Sequence, residues 1–327
     1  MSSVVVTALL WLLFVYAARA LNSPKSVLVI GATGRVGRNV VPKLLKQGYT
    51  VRCLVRNKEK AFYLKELKGS KLVEGDVTNL DCLLAATEGC GTVIAVHGVR
   101  PPRPSKLQDL FIHPKHLGSN HPYNVNYLGV MKILAAMQVN RCSKLVRITG
   151  SLIDKSAFSP FRVLFNLLLS FTTKWHEASE IAIRRSGVDY TVLRPTGIAD
   201  IPAAAKDAAR SLIMLAGDSP ELPPLPGRIP VEDLGELVVK AAGGALSRTS
   251  VVCSSVETKP GAAAAPQVKA WDGLIAAMPA DHRQIRLGPH KLAVATYLAG
   301  LGLVASALLR LLAVVVVKAV RLVRPAL

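Results

Sequence analysis

The chain has 327 residues, half of them hydrophobic, with 41 basic and 21 acidic side chains and a formal net charge of +20. A mean hydropathy of +0.35 excludes a disordered chain, which needs few apolar residues. The five cysteines (Cys53, Cys82, Cys90, Cys142, Cys253) fall in no paired short spacing, which argues against a disulfide scaffold or a zinc ribbon.

The chain opens with an uncharged apolar run from Val4 to Ala18 that ends in Ala18-Arg19-Ala20, a pattern that signal peptidases cut. Residues 1–22 therefore read as a signal peptide or a signal anchor, both open. If they are retained, Arg19, Lys25, Arg35 and Arg38 keep the main domain on the cytosolic or equivalent side.

From Lys25 to Glu257, short β-branched runs alternate with helical periods. Strands are expected over Ser26–Ile30, Thr50–Val55, Lys71–Glu74, Thr92–Val96, Lys144–Ile148 and Asp189–Leu193, nearly continuous in apolar residues as buried parallel strands are. Helices are expected over Arg35–Lys46, Lys58–Leu67, Leu80–Glu88, Tyr123–Val139 and Phe161–Arg185. The fold class is α/β, a Rossmann-like doubly wound parallel sheet. After Pro195 the spacing loosens. Two short strands, Ile213–Ala216 and Ser250–Cys253, and a helix over Val231–Ala242 are placed in a small substrate lobe, about residues 196–257.

The first strand runs directly into Gly31-Ala32-Thr33-Gly34-Arg35-Val36-Gly37, and a helical period follows at once. A pyrophosphate can approach the N–H groups of a helix start only where the turn lacks side chains, and the last glycine lets helix and strand pack closely. Gly31, Thr33, Gly34, Arg35, Val36 and Gly37 are thus expected to hold a dinucleotide. At the end of the second strand, where an NAD site places an acid, this chain has Arg56. With Arg35 as a second cation nearby, a ribose 2′-phosphate is preferred, and NADP(H) is the expected cofactor.

Residues 99–122 form a proline-rich insertion carrying His113, His116 and His121. No pair of cysteines or acids accompanies these histidines, so no metal site is expected, and the insertion reads as a lid or a protein-docking loop. The sequence from Lys259 to Ala265, KPGAAAA, begins a linker placed over 258–290. The stretch from Leu292 to Val317, interrupted only by Arg310 and followed by Lys318, Arg321 and Arg324, is long enough to cross a bilayer if Arg310 snorkels. A membrane-associated helix is expected over 291–318, with a buried core helix and an interfacial helix as the alternatives.

Charge is uneven along the chain. Arg19 to Lys60 holds ten basic residues and one acid, and no Lys/Arg cluster alternates with aromatics. The excess fits an anionic cofactor and lipid headgroups better than nucleic acid, which is not expected as a partner.

GATGRVG, Arg56, Gly75-Asp76-Val77, PYNVNYLG at Pro122–Gly129, Ile148-Thr149-Gly150-Ser151 and SGVDYTVLRP at Ser186–Pro195 together resemble an atypical short-chain dehydrogenase/reductase, closest to the NmrA-like, NAD(P)H-binding group. The resemblance implies that Asp76, with Val77, meets the adenine. It places Ser151 beside the nicotinamide and Pro195 and Thr196 at its carboxamide. The wider superfamily uses a Tyr-x-x-x-Lys pair as proton donor and cation. Here no tyrosine has lysine four residues on, and the corresponding positions hold Thr172 and His176. Two functions stay open: a reductase of a quinone, flavin or tetrapyrrole-like acceptor, assisted by Ser151, His176 or Lys174, or a protein that binds NADPH without turnover as a redox sensor or assembly factor. Leu21 after Ala-Arg-Ala resembles a plastid-targeting cut site, so endomembrane and plastid are both open as locations.

Overall fold

The computed structural model describes residues 25–99, 116, 118–200, 210–218, 227–257 and 271–323. Six parallel strands come from the six apolar runs: β1 (Ser26–Ile30), β2 (Thr50–Val55), β3 (Lys71–Glu74), β4 (Thr92–Ala95), β5 (Lys144–Ile148) and β6 (Asp189–Pro195). β1 lies centrally, with Val27 opposite Val51 on β2 and Thr92 on β4. The order is β3-β2-β1-β4-β5-β6, and the wiring reverses between β1 and β4. In such a sheet the crevice at the carboxyl ends of these two strands is where a ligand binds.

Two layers of helices cover the sheet. On one face, α1 (Arg35–Lys46) packs beside the later helix α7 (Val231–Ala242), and Val40, Leu44, Leu234, Leu237 and Val238 are wholly buried there. On the other, α3 (Leu80–Thr87), α4 (Gly129–Val139) and α6 (Thr172–Arg185) bury Leu83, Ile133, Met137 and Ile183. Both faces are dry, which explains why the strands read as continuous apolar runs rather than alternating ones.

Three expected helices are interrupted. The Lys58–Leu67 helix is a five-residue α2 (Lys58–Phe62) and a separate 3₁₀ turn at Lys65–Leu67, because Leu64 between them is extended. The Tyr123–Val139 helix begins as a π-helical turn, Tyr123–Leu128, before α4. The long Phe161–Arg185 helix is a helical hairpin, α5 (Pro160–Leu168) and α6, broken where Ser170 and Phe171 adopt φ of 50° and 58°. Left-handed backbone at two non-glycine residues leaves no sequence signal. The strain is offset by burial of Phe171 against Val163 and Trp175 and by a 2.9 Å bond from its N–H to Asn166 O.

The strands expected in a lobe instead extend the main sheet. β10 (Thr249–Glu257) pairs parallel with β6, and β8 (Arg210–Ala216) pairs antiparallel with β10. Only a two-residue pair, β7 (Ile198–Ala199) with β9 (Ile229–Pro230), stands apart from it. The expected linker also differs. Residues 258–270 lie outside the described residues, but from Trp271 the chain is packed: α8 (Trp271–Ala276) buries Trp271 and Ile275 in the core, and Asp281 accepts bonds from Ser250 N (3.0 Å) and Tyr190 Oη (3.0 Å). The last helix, α9 (His290–Val323), buries Ala293 and Val294 in its first turns. From Leu301 to Leu312 the large side chains described are more than half exposed, so this is not the core helix of the alternative reading. The N-terminal apolar segment and residues 100–115 and 117 of the 99–122 insertion lie outside the described residues.

Candidate functional site

The glycine loop joins β1 to α1 at the reversal point. Gly31 has φ +90°, and a Cβ there would lie 2.6 Å from His97 N, on the chain leaving β4. At Gly37 a Cβ would lie 2.3 Å from Gly31 O. These two contacts explain two of the three glycines: one permits the turn against β4, and the other lets α1 sit on the loop. Gly34 is the N-cap residue of α1, and no side chain caps the helix or places an acid in its first turn. Thr33, Gly34 and Arg35 are exposed while Val36 is buried, so the loop presents backbone outward over the positive end of a twelve-residue helix. That cradle fits a pyrophosphate.

Arg56 stands exposed at the carboxyl end of β2, and its neighbour Asn57 accepts a 2.7 Å bond from Lys60 N, capping α2. Arg35 takes a different course from the one expected. Its guanidinium donates to Asp200 (3.2 Å) and to Ile198 O (3.0 Å), tying the glycine loop to β7. At the end of β3, Asp76 Oδ1 accepts from both Thr78 N (2.8 Å) and Thr78 Oγ1 (2.7 Å), which fixes the carboxylate's direction. Val77 behind it is buried against Gly129 of α4.

Ser151 opens a 3₁₀ turn after β5. Pro195 ends β6, and Thr196 follows it with Oγ1 bonded to Ser254 Oγ at 3.0 Å. All these expected residues therefore come to the carboxyl edge of one sheet. Lys174 and His176 are separated by the geometry of α6. Lys174 lies 4.4 Å from the centre of the Trp175 ring, and burial together with Lys291 on α9 lowers its pKa. His176 faces inward, 3.5 Å from Asn126 Nδ2.

The surroundings of His176 were not foreseen. Arg147, in the middle of β5, is wholly buried and donates to Ala95 O (3.0 Å) and His97 O (2.7 Å). Burial lowers its pKa to about 10, so it stays charged. Burial and that charge bring His176 down to about 3 and His97 well below its ordinary value. Both imidazoles are neutral at physiological pH, and a neutral imidazole is a poor proton donor. Thr172, at the position of the missing tyrosine, spends its hydroxyl on Leu169 O (2.7 Å). Among the described residues Arg147 Nε and Nη2, Asn126 Oδ1 and His176 Nδ1 have no partner. The signal for this cluster is a charge inside an otherwise apolar strand, Leu145-Val146-Arg147-Ile148, and an asparagine inside the π turn, a distortion frequent at functional sites.

Beneath the cluster Glu180 and Arg194, both wholly buried, form a double-sided ion pair. Arg194 Nε is 3.2 Å from each Glu180 oxygen, and Thr149 Oγ1 donates to Glu180 Oε1 at 2.6 Å. This anchors α6 to β5 and β6, and so sets where the Ser151 turn begins.

A family model described as NAD(P)H-binding matches residues 31–244. Over 172 residues the chain is 30% identical to the photosystem II assembly factor Ycf39 of Cyanophora paradoxa, covering 53% of this chain and 45% of that protein. Over 184 residues it is 30% identical to an uncharacterized chloroplastic protein of Arabidopsis thaliana, covering 54% and 61%. The chain thus spans about half the length of the curated relatives it matches. A short-chain dehydrogenase/reductase of Veillonella parvula in complex with NADP shares the fold, with a TM-score of 0.52 at 14% identity over 72% of this chain and 95% of that one.

Proposed function

Because the chain belongs to the family described as NAD(P)H-binding, we propose that it is of the atypical short-chain dehydrogenase/reductase kind, binds NADP(H) at the carboxyl edge of its sheet, is attached to a plastid membrane, and acts there as a cofactor-dependent assembly factor. One observation carries the choice of binding over turnover: where a proton-donating pair would stand, the Thr172 hydroxyl is spent on its own helix start and His176 is held neutral by burial and Arg147. The bound cofactor would supply a hydride, and neither Thr172 nor His176 would supply a proton to accompany it.

The preference for NADP(H) rests on Arg56, which is exposed at the end of β2; Arg35 is engaged by Asp200 and Ile198 O. Gly31, Thr33, Gly34, Val36 and Gly37 would hold the pyrophosphate, Asp76 and Val77 the adenine, and Ser151, Pro195 and Thr196 the nicotinamide end. The relatives' names, an assembly factor of photosystem II and a chloroplastic protein, support the plastid and assembly reading. The helix α9, 21 residues of which are apolar enough to cross a bilayer, supports attachment.

A second reading is a reductase whose acceptor needs little help from an acid, such as a quinone, flavin or tetrapyrrole. The unmet polar atoms of Arg147, Asn126 and His176 favour it, because they would receive the polar end of such a molecule. Titration of the full chain with NADPH and NADH, followed by NADPH oxidation over a quinone and flavin panel, separates the two. Tight NADPH binding without oxidation supports the assembly reading. Steady oxidation that is lost in Gly34→Asp overturns it in favour of the reductase.

A further inference from the structure

α5 is inside out. Its buried side carries polar groups: Arg162 and Asn166 are 2% and 0% exposed. Its outer side carries Phe161, Leu164, Phe165 and Leu168, which are 69%, 47%, 42% and 48% exposed. The spacing i, i+3, i+4, i+7 puts those four on one helical stripe. A helix bordering water has the opposite arrangement, and an exposed contiguous apolar stripe marks a surface that something else covers.

The polar side of α5 is spent on α9. Glu177 of α6 accepts from Arg162 Nη2 (2.8 Å) and lies 2.5 Å from His290 Nε2, while Asn166 Nδ2 lies 3.2 Å from His290 Nδ1. Two turns further along α9, Tyr297 Oη donates to Phe158 O at 2.9 Å. From Phe158, just before α5, to Asn166 within it, the contacts on α9 run from 297 back to 290. The two helices therefore lie antiparallel, and α5 flanks the first two turns of the candidate span.

Glu177 is buried between Arg162 and His290, and the charge towards the surface around this junction is basic. Lys291 lies close enough to Lys174 to help lower its pKa, and Arg286 precedes α9 by four residues. No Asp or Glu occurs between His282 and Leu327, or between Lys155 and His176. A basic collar at the base of an apolar helix pair matches the anionic headgroup layer, with lipid tails beyond it.

We propose that the apolar stripe of α5 is a lipid-facing surface: the short helix enters the headgroup and upper acyl region beside α9 and seats the domain on the bilayer. This rests on the membrane attachment proposed above and adds its orientation. The Ser151–Asp154 turn and the groove of about 390 Å³ lined by Ser156, Phe158 and Arg286 then open at the membrane surface. A lipid-soluble acceptor or a membrane-embedded partner would meet the nicotinamide end from that side.

The test uses the full chain, with Cys82→Ser to remove the half-exposed native thiol, reconstituted in vesicles of neutral and anionic phospholipid. A nitrobenzoxadiazole label is placed at Leu164→Cys on α5 or at Leu303→Cys on α9. The expected result is blue-shifted emission at both positions, quenched by spin-labelled lipid and not by aqueous iodide. If the α9 label is lipid-quenched while the α5 label is quenched by iodide, the surface is not lipid-facing and attachment by α9 stands. If iodide quenches both, membrane attachment itself fails. An α5 label shielded from both quenchers means that protein covers the stripe, a second copy or residues 1–24, and this also overturns the proposal.

Discussion

Gly31 at the end of β1 and His97 at the end of β4 approach so closely that a Cβ on Gly31 would lie 2.6 Å from His97 N. The same pair marks the reversal point of the sheet, so the contact that closes the fold also shapes the cofactor cradle. Gly31→Ala adds a clash with backbone to a side chain at φ +90°, and the strain and overpacking together cost roughly 2–5 kcal/mol. We expect a lowered melting temperature and loss of NADPH binding, measured by thermal denaturation and fluorescence titration. An unaltered affinity would refute the placement of the cradle.

Arg56→Asp replaces the cation at the end of β2 with the acid an NAD site uses. Loss of a charge-assisted contact of about 1.5–3 kcal/mol weakens NADPH binding roughly 10- to 100-fold. NADH binding should hold or improve. Equal loss for both cofactors would show that Arg56 does not read the 2′-phosphate.

Glu180→Gln leaves Arg194 charged in a site where both side chains are wholly buried. Breaking one partner of a buried pair costs about 3–5 kcal/mol. At about 2–4 °C per kcal/mol for a domain of this size, the midpoint of unfolding drops by roughly 6–20 °C. A change of a degree or two in calorimetry would mean that the bond from Arg194 Nη1 to Gly217 O (2.8 Å) suffices to hold this guanidinium.

His176 gives a pH signature. Its folded pKa is brought down to about 3 from an ordinary 6.5 by burial and Arg147. Between those values the unfolded chain binds a proton that the folded chain refuses, so stability falls as pH drops from about 6.5 towards 3. The slope from this one group is at most about 1.4 kcal/mol per pH unit. Urea denaturation of the wild type and of His176→Asn, compared at pH 7 and pH 5, should show the variant losing less stability on acidification. Equal losses would place the titration elsewhere.

The strands, the tight glycine turn and the helix after it were legible in the sequence, because they depend on local rules. Apolar runs make buried strands, glycine alone tolerates the Gly31 turn, and an uncapped helix start favours an anion. The Arg56 position follows from counting to the end of β2. What stayed hidden depends on partners far apart in the chain. Arg147 meets His97 across 50 positions, and Glu177 meets His290 across 113. Neither pairing has a local pattern, because only the packed fold brings the partners together. The break at Ser170 and Phe171 was invisible for the same reason: tertiary burial offsets a backbone conformation that those residues disfavour. The sequence of α5 sets an apolar stripe, Phe161, Leu164, Phe165 and Leu168, apart from the polar Arg162 and Asn166, and only the packing of α6 and α9 against the polar side leaves the apolar one outward.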